Sequence, residues 1–186
     1  HSFPTRRSSD LEIKYYKGNV PEGKGIKGIV TGPSTIIHSS RITSFYKNKD
    51  DAIIDLAHSL KVEVDAIERK VKPVYIQVDE PFLSTGMVNM KVAREAIDIL
   101  HEGLSIPLAM HVCGTLEGAY KDLAKFNVEI LDFEFAGNDV NLDILRNNFN
   151  LFKDKKIGFG CIDSSKNTVD SKEDAENLIS EGIMSV

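Results

Sequence analysis

The sequence predicts an α/β fold: a (β/α)8 TIM barrel truncated at both ends, with about five strands present. Three observations predict it. Five short apolar runs alternate with segments of helical period, the alternation that builds a parallel sheet with crossover helices. The runs are near-continuously apolar, which argues for a sheet covered on both faces. The polar residues Asp79, His111, Cys113, Glu134 and Asp163 stand at the C-terminal ends of the runs, the rim at which such a barrel carries its site. An open doubly wound sheet would also bind at strand ends. No Gly-x-Gly-x-x-Gly follows any run, however, so nothing supports dinucleotide binding. A closed barrel takes about 250 residues, so 186 residues with five strands read as part of one.

Taken in order, residues 1–11 (HSFPTRRSSDL) show no period of either kind. They resemble translated adapter read-through and are set aside as a non-native or disordered leader. The barrel portion is then residues 12–186. Ile26 to Val30 is the first strand. It ends at Thr31-Gly32-Pro33-Ser34, where Pro33 can open a helix. Asp50 and Asp51 precede an amphipathic helix through Ile53, Leu56, Ala57, Leu60, Val64 and Ile67. Val74 to Val78 is the second strand, running into Asp79-Glu80-Pro81. Val88 to Leu100 is helical through Val92, Ala93, Ala96 and Ile97. Ile106 to Cys113 is the third strand. Leu116, Tyr120, Leu123 and Phe126 form a short helical face. Val128 to Phe135 is the fourth strand, and Leu142, Leu145 and Phe149 suggest another short helix. Ile157 to Ile162 is the fifth strand. Ser171 with Asp174 three residues on opens the last helix as a cap.

Composition narrows the class. Apolar residues make up 41% and charged residues 27%, and net charge is −5, so nothing favours a nucleic-acid backbone. No apolar run approaches the roughly 18 residues of a membrane span. The polar N-terminus lacks a signal-peptide pattern. Two cysteines, Cys113 and Cys161, do not make a disulfide framework. The expectation is a cytoplasmic α/β enzyme or a piece of one, with no nucleic-acid and no membrane partner.

Chemistry concentrates at the strand ends. His111 and Cys113 lie two apart on a strand and so face the same way. They are either half of a zinc site or a hydrogen-bonded imidazole beside a packed thiol. Glu134, one strand later, is a candidate carboxylate ligand or an ordinary rim acid. Asp132 shares its face one step deeper and competes with it. A carboxylate among Phe133, Phe135 and Ala136 needs a cation or donor nearby. Asp79 and Glu80 either meet a substrate ammonium group or shuttle a proton, or they cap a helix. The Gly32-to-Thr35 turn could offer helix N–H groups to an anion, although a plain helix start explains it better. Cys161 reads as a packed thiol. His38, His58 and His101 fall in helical stretches without companion ligands.

Together the stretches TGPST at 31–35, YIQVDEP at 75–81, MHVCG at 110–114, VEILDFEFAG at 128–137 and IGFGCID at 157–163 resemble the catalytic domain of the cobalamin-independent methionine synthase family, especially its short archaeal-type members. The likeness runs from about Ile26 to the C-terminus. It implies a TIM barrel of the methionine synthase and uroporphyrinogen decarboxylase superfamily. It also implies a zinc held by His, Cys, Glu and a second Cys. His111, Cys113 and Glu134 match the first three. The second Cys lies on a later strand beyond Val186, and Cys161 does not match it. Asp79 matches the aspartate that contacts the homocysteine amino group. Ser165 falls where long-form members carry a histidine proposed as proton donor. Methyl-folate, a poor leaving group, needs such an acid and a methyl-corrinoid does not, so the methyl donor is expected to be one of these two with a lean toward the corrinoid. A free thiol of pKa about 8.5 is mostly protonated at neutral pH, and zinc makes it a thiolate. The function expected is zinc-dependent methyl transfer to homocysteine. The alternatives are another thiol methyltransferase, for instance one acting on coenzyme M, or a zinc-free decarboxylase-like barrel. On its own the chain is expected to be inactive and weakly stable, because the outer strands of a part-barrel leave unpaired edges.

Overall fold

The computed structural model describes residues 15–184; the leader expected at 1–11 lies outside them. Five strands, β1 (Lys27–Thr31), β2 (Tyr75–Asp79), β3 (Leu108–Val112), β4 (Ile130–Glu134) and β5 (Lys156–Gly160), form one sheet in the order β1-β2-β3-β4-β5. Every neighbouring pair is parallel. Sequential parallel neighbours require a crossover after each strand. These crossovers carry α1 (Pro33–Ser39), α2 (Lys49–Val71), a 3-10 turn (Pro81–Thr85), α3 (Met90–His101), α4 (Tyr120–Leu123) and α5 (Asp139–Phe152). The final helix, α6 (Lys172–Ile183), follows β5. No helix among the described residues is long and apolar enough to cross a membrane.

Local chemistry sets the helix ends. Asn48 caps α2 by accepting from the Asp51 N–H at 2.9 Å. Asp50 and Asp51 sit in its first turn and Arg69 and Lys70 in its last, the arrangement the helix dipole favours. α2 stops at Lys72, whose φ of 51° is left-handed and whose N–H donates to the Glu68 carbonyl at 3.0 Å. Ser171 and Asp174 close the expected capping box on α6. The short helix expected around Leu142–Phe149 is longer, Asp139–Phe152, with a break at Asn148. There the side-chain Nδ2 donates to the Ile144 carbonyl at 2.9 Å.

The two faces of the sheet differ in character. Val30, Ile76, Val78, Leu108, Met110, Val112, Leu131 and Phe133 face the helices and join Val64, Ile97, Leu123, Leu145 and Phe152 in the main core. Each such fully buried side chain contributes about 1.5–3 kcal/mol. The alternate residues, Lys27, Gln77, Asp79, His111, Asp132 and Glu134, point to the other face, and β1 and β4 alternate in burial accordingly. Apolar Ile29, Ala109 and Ile130 stand among them in the same register. They make the strands read as continuously apolar and mask the period of two. A smaller cluster of Ile37, Ala52, Ile53, Ala57 and Ala96 fixes α1 and α2 against α3.

Candidate functional site

The polar face is ordered by strand register. Thr31, Asp79, His111, Asp132 and Gly158 are lateral neighbours in one row across all five strands. Two residues further toward the C-terminal rim, Glu134 pairs with Gly160, and Cys113 follows the end of β3. The structure therefore brings Asp79, His111, Cys113 and Glu134 to one rim, on the face opposite the core-packed one.

Asp79 is held from below. Its Oδ1 accepts from Gln77 Nε2 at 2.7 Å, and Gln77 Oε1 accepts from Lys27 Nζ at 2.9 Å. Lysine has only donors, so Lys27 fixes the Gln77 amide with its NH2 toward Asp79. His111 Nδ1 lies 3.5 Å from Asp132 Oδ2, an ion-pair contact longer than a well-formed hydrogen bond. This nitrogen is buried and has no closer partner among the described residues. The Asp132 carboxylate raises the His111 pKa, burial opposes it, and Asp79 adds to the rise. Asp132 is thus the carboxylate that faces the imidazole.

Burial pushes the Cys113 thiol up, and the charges of Glu134 and Asp79 push the same way. Glu134 Oε2 accepts from the Gly114 N–H at 2.9 Å, which ties the Cys113 loop to the end of β4. The close approach of β5 explains Gly160. A Cβ there would meet the Phe133 carbonyl oxygen at 2.7 Å, so a side chain would force β4, and Glu134 with it, out of place. The Gly160 carbonyl in turn accepts from the N–H groups of Phe135 and Ala136.

Glu80 does not join the rim. It is 1% exposed and turns back onto the start of α1. Its Oε1 accepts from the Ser34 N–H at 2.9 Å, and its Oε2 from the Thr35 N–H and hydroxyl, each at 2.7 Å. Gly32, the N-cap of α1, offers no side-chain cap, and a Cβ there would meet Glu80 Cδ at 2.2 Å. The helix N-terminus whose N–H groups could serve an anion is filled by a carboxylate of the same chain.

Asp163 accepts from the Ser165 N–H and hydroxyl at 2.9 and 2.6 Å, so Ser165 is spent on its own loop. Cys161 is a half-buried free thiol. His101 lies 3.3 Å from Glu129, next to the start of β3, where the other Glu129 oxygen accepts from the Leu108 N–H.

Sequence reasoning missed Asn141. It is fully buried on α5. Its Nδ2 donates to the carbonyls of Gly114 and Glu134 at 2.9 and 2.6 Å, and its Oδ1 accepts from the Leu116 N–H at 2.8 Å. The one available signal was an asparagine in the first turn after the Glu134 strand, between apolar Val140 and Leu142.

Among the described residues, no three His, Cys, Asp or Glu side chains are gathered into a ready metal-binding group. The donors nevertheless fit zinc in kind. Imidazole, thiol and carboxylate are its usual protein ligands. A carboxylate against the far nitrogen of a ligating histidine is its usual outer partner, the place Asp132 holds.

The model of the family described as "Cobalamin-independent synthase, Catalytic domain" matches residues 5–186. The chain belongs to this family. Among its relatives, the methionine synthase of Methanothermobacter thermautotrophicus is 45% identical over 163 residues, covering 87% of this chain and 52% of the relative. That of Methanocaldococcus jannaschii is 50% identical over 160 residues, 85% of this chain and 50% of the relative. The chain thus spans about half the length of these cobalamin-independent synthase relatives. A solved structure described as a B12-independent methionine synthase from Shewanella sp. W3-18-1, in complex with selenomethionine, superposes with a TM-score of 0.80. It covers 95% of this chain and 55% of that one at 22% identity. At that identity the likeness establishes the fold: the five parallel strands correspond to part of that enzyme's barrel.

Proposed function

We propose that the chain supplies part of the active site of a methionine synthase that methylates the thiol of homocysteine, with zinc held by His111, Cys113 and Glu134. The observation that carries this reading is the placement of an imidazole, a thiol and a carboxylate on one rim, with Asp132 against the imidazole and Asp79 beside it in the same row. When bound, zinc supplies a positive charge that keeps a coordinated thiol ionised.

The protein's own groups do the rest. Asp132 faces Nδ1 of His111 and leaves Nε2 as the ligating nitrogen. Asp79, with one oxygen filled by Gln77, keeps the other for the substrate ammonium. This anchors homocysteine by the end opposite to its thiol. Gly114 fixes one oxygen of Glu134 and leaves the second toward the rim. In the transfer, the homocysteine thiol releases its proton to solvent as it becomes a thiolate, and the thiolate sulfur forms the S–CH3 bond. The bond from the donor to its methyl group breaks with the electron pair staying on the donor. Glu80 has no part in binding substrate here, because both its oxygens serve α1.

The test is methyl transfer to homocysteine by the full-length protein that contains this segment, with methyl-folate and a methyl-corrinoid offered as separate donors. Methionine formation from either donor, with the homocysteine KM raised in Asp79→Ala, is the expected result. An unchanged homocysteine KM in Asp79→Ala contradicts the role of Asp79. Transfer to coenzyme M and not to homocysteine contradicts the substrate. Because Ser165 donates to Asp163 and offers no acid, the corrinoid is expected to be the faster donor, and faster transfer from methyl-folate removes that preference.

A further inference from the structure

We infer that Asn141 is a positioning residue that sets the separation of Cys113 and Glu134, and through it the ability of that pair to share one ion. Its relevance to metal binding rests on the reading above; its hold on the loop does not.

An uncharged amide with no exposed surface is costly to bury unless its polar atoms are satisfied. Asn141 meets that cost with three hydrogen bonds, and all three go to the segments that carry the two candidate ligands. Two reach the loop behind Cys113, at the Gly114 carbonyl and the Leu116 N–H, and one reaches the carbonyl of Glu134 itself. The amide has a single usable orientation. Flipped, it would set its oxygen against two carbonyls and its NH2 against an N–H.

Gly114 is clamped from both sides. Its N–H, part of the peptide that follows Cys113, donates to the Glu134 side chain, and its carbonyl accepts from Asn141. The backbone of Cys113 therefore cannot turn without breaking contacts to β4 and α5 together. Supporting groups of this kind hold ligands at the separation a metal requires.

The test compares Asn141→Ala and the near-isosteric Asn141→Asp with Leu145→Ala, a buried core truncation one turn further along α5 whose side chain makes no hydrogen bond to the loop. Asn141→Asp keeps the acceptor for Leu116 and loses both donors, at nearly unchanged volume, so it reports even where the alanine variant fails to fold. Two quantities are read in the full-length protein: the iodoacetamide alkylation rate of Cys113 in metal-free protein, resolved by peptide from Cys161, and the zinc affinity from competition with a chromophoric chelator.

Loss of these hydrogen bonds is expected to speed alkylation of Cys113 roughly tenfold and to weaken zinc about 10- to 100-fold, with Leu145→Ala changing neither. Parent-like alkylation in a folded Asn141 variant overturns the inference, and so does an equal change in Leu145→Ala, which would mark a general loosening. Faster alkylation in a protein whose parent binds no zinc keeps the positioning role and removes the zinc reading instead.

Discussion

Replacing His111 with alanine is expected to lower zinc affinity by about 100-fold or more, since loss of even an outer partner of a ligand costs 10- to 100-fold. The imidazole is the one nitrogen donor in the proposed set, and it stands in the centre of its row. Asp79 lies on one side and Asp132 on the other. Removing it also leaves Asp132 without the group it faces, so two carboxylates then border an empty position. Asp132→Asn is expected to have a smaller effect in the same direction, because the amide can still accept from Nδ1 but carries no charge. Competition against a chromophoric chelator reads both variants. Parent-like zinc affinity in His111→Ala would show that the ion, if bound, is held elsewhere.

Truncating Glu80 to alanine is expected to destabilise the chain by about 3–5 kcal/mol. Ser34 and Thr35 are buried, and their N–H groups belong to the first turn of α1, which has no partner within the helix. Each buried donor left unsatisfied costs about 1–3 kcal/mol, and the missing side chain leaves a cavity besides. Glu80→Gln keeps the shape but sets an NH2 against the same donors, so it should cost less than the truncation and still be measurable by denaturant unfolding.

The pH dependence has a definite sign. Burial raises the Glu80 pKa above its ordinary value, although the hydrogen bonds from Thr35 and Ser34 pull it back. A carboxyl that holds its proton more tightly when folded stabilises most below its unfolded pKa. That part is lost as pH rises through the folded value. Glu80→Gln should flatten the corresponding portion of the stability–pH curve. A change within about 0.5 kcal/mol for Glu80→Ala, the usual range for surface positions, would contradict the capping role.

The rim was legible because a parallel strand that runs out of apolar residues at its C-terminal end announces both the element and the site. Asp79, His111 and Glu134 were read in that way, and register sets them on one face. Glu80 was not legible. Its partners lie 45 and 46 residues away in the chain, so capping of α1 from β2 is a tertiary contact with no local signature. Asp132 could be placed on the right face by period alone, but its role beside His111 needed the register of β3 against β4. Asn141 was hidden for a different reason. A polar residue on a helix reads as a solvent-facing one, and only the close approach of the Gly114 loop shows that its amide is enclosed. The alternation of the strands was obscured by Ile29, Ala109 and Ile130, apolar residues that stand on the polar face.

The most direct measurement is the absorption spectrum of the full-length protein loaded with cobalt in place of zinc and titrated with homocysteine. Cys113 as a ligand predicts a thiolate-to-cobalt charge-transfer band that is weakened in Cys113→Ser, the second cysteine of the full-length protein keeping the remainder. The homocysteine thiolate joining the ion predicts that the band grows with added homocysteine and saturates at one equivalent. A spectrum without the band, or one that homocysteine leaves unchanged, would contradict the claim that these three side chains gather an ion to activate the substrate thiol.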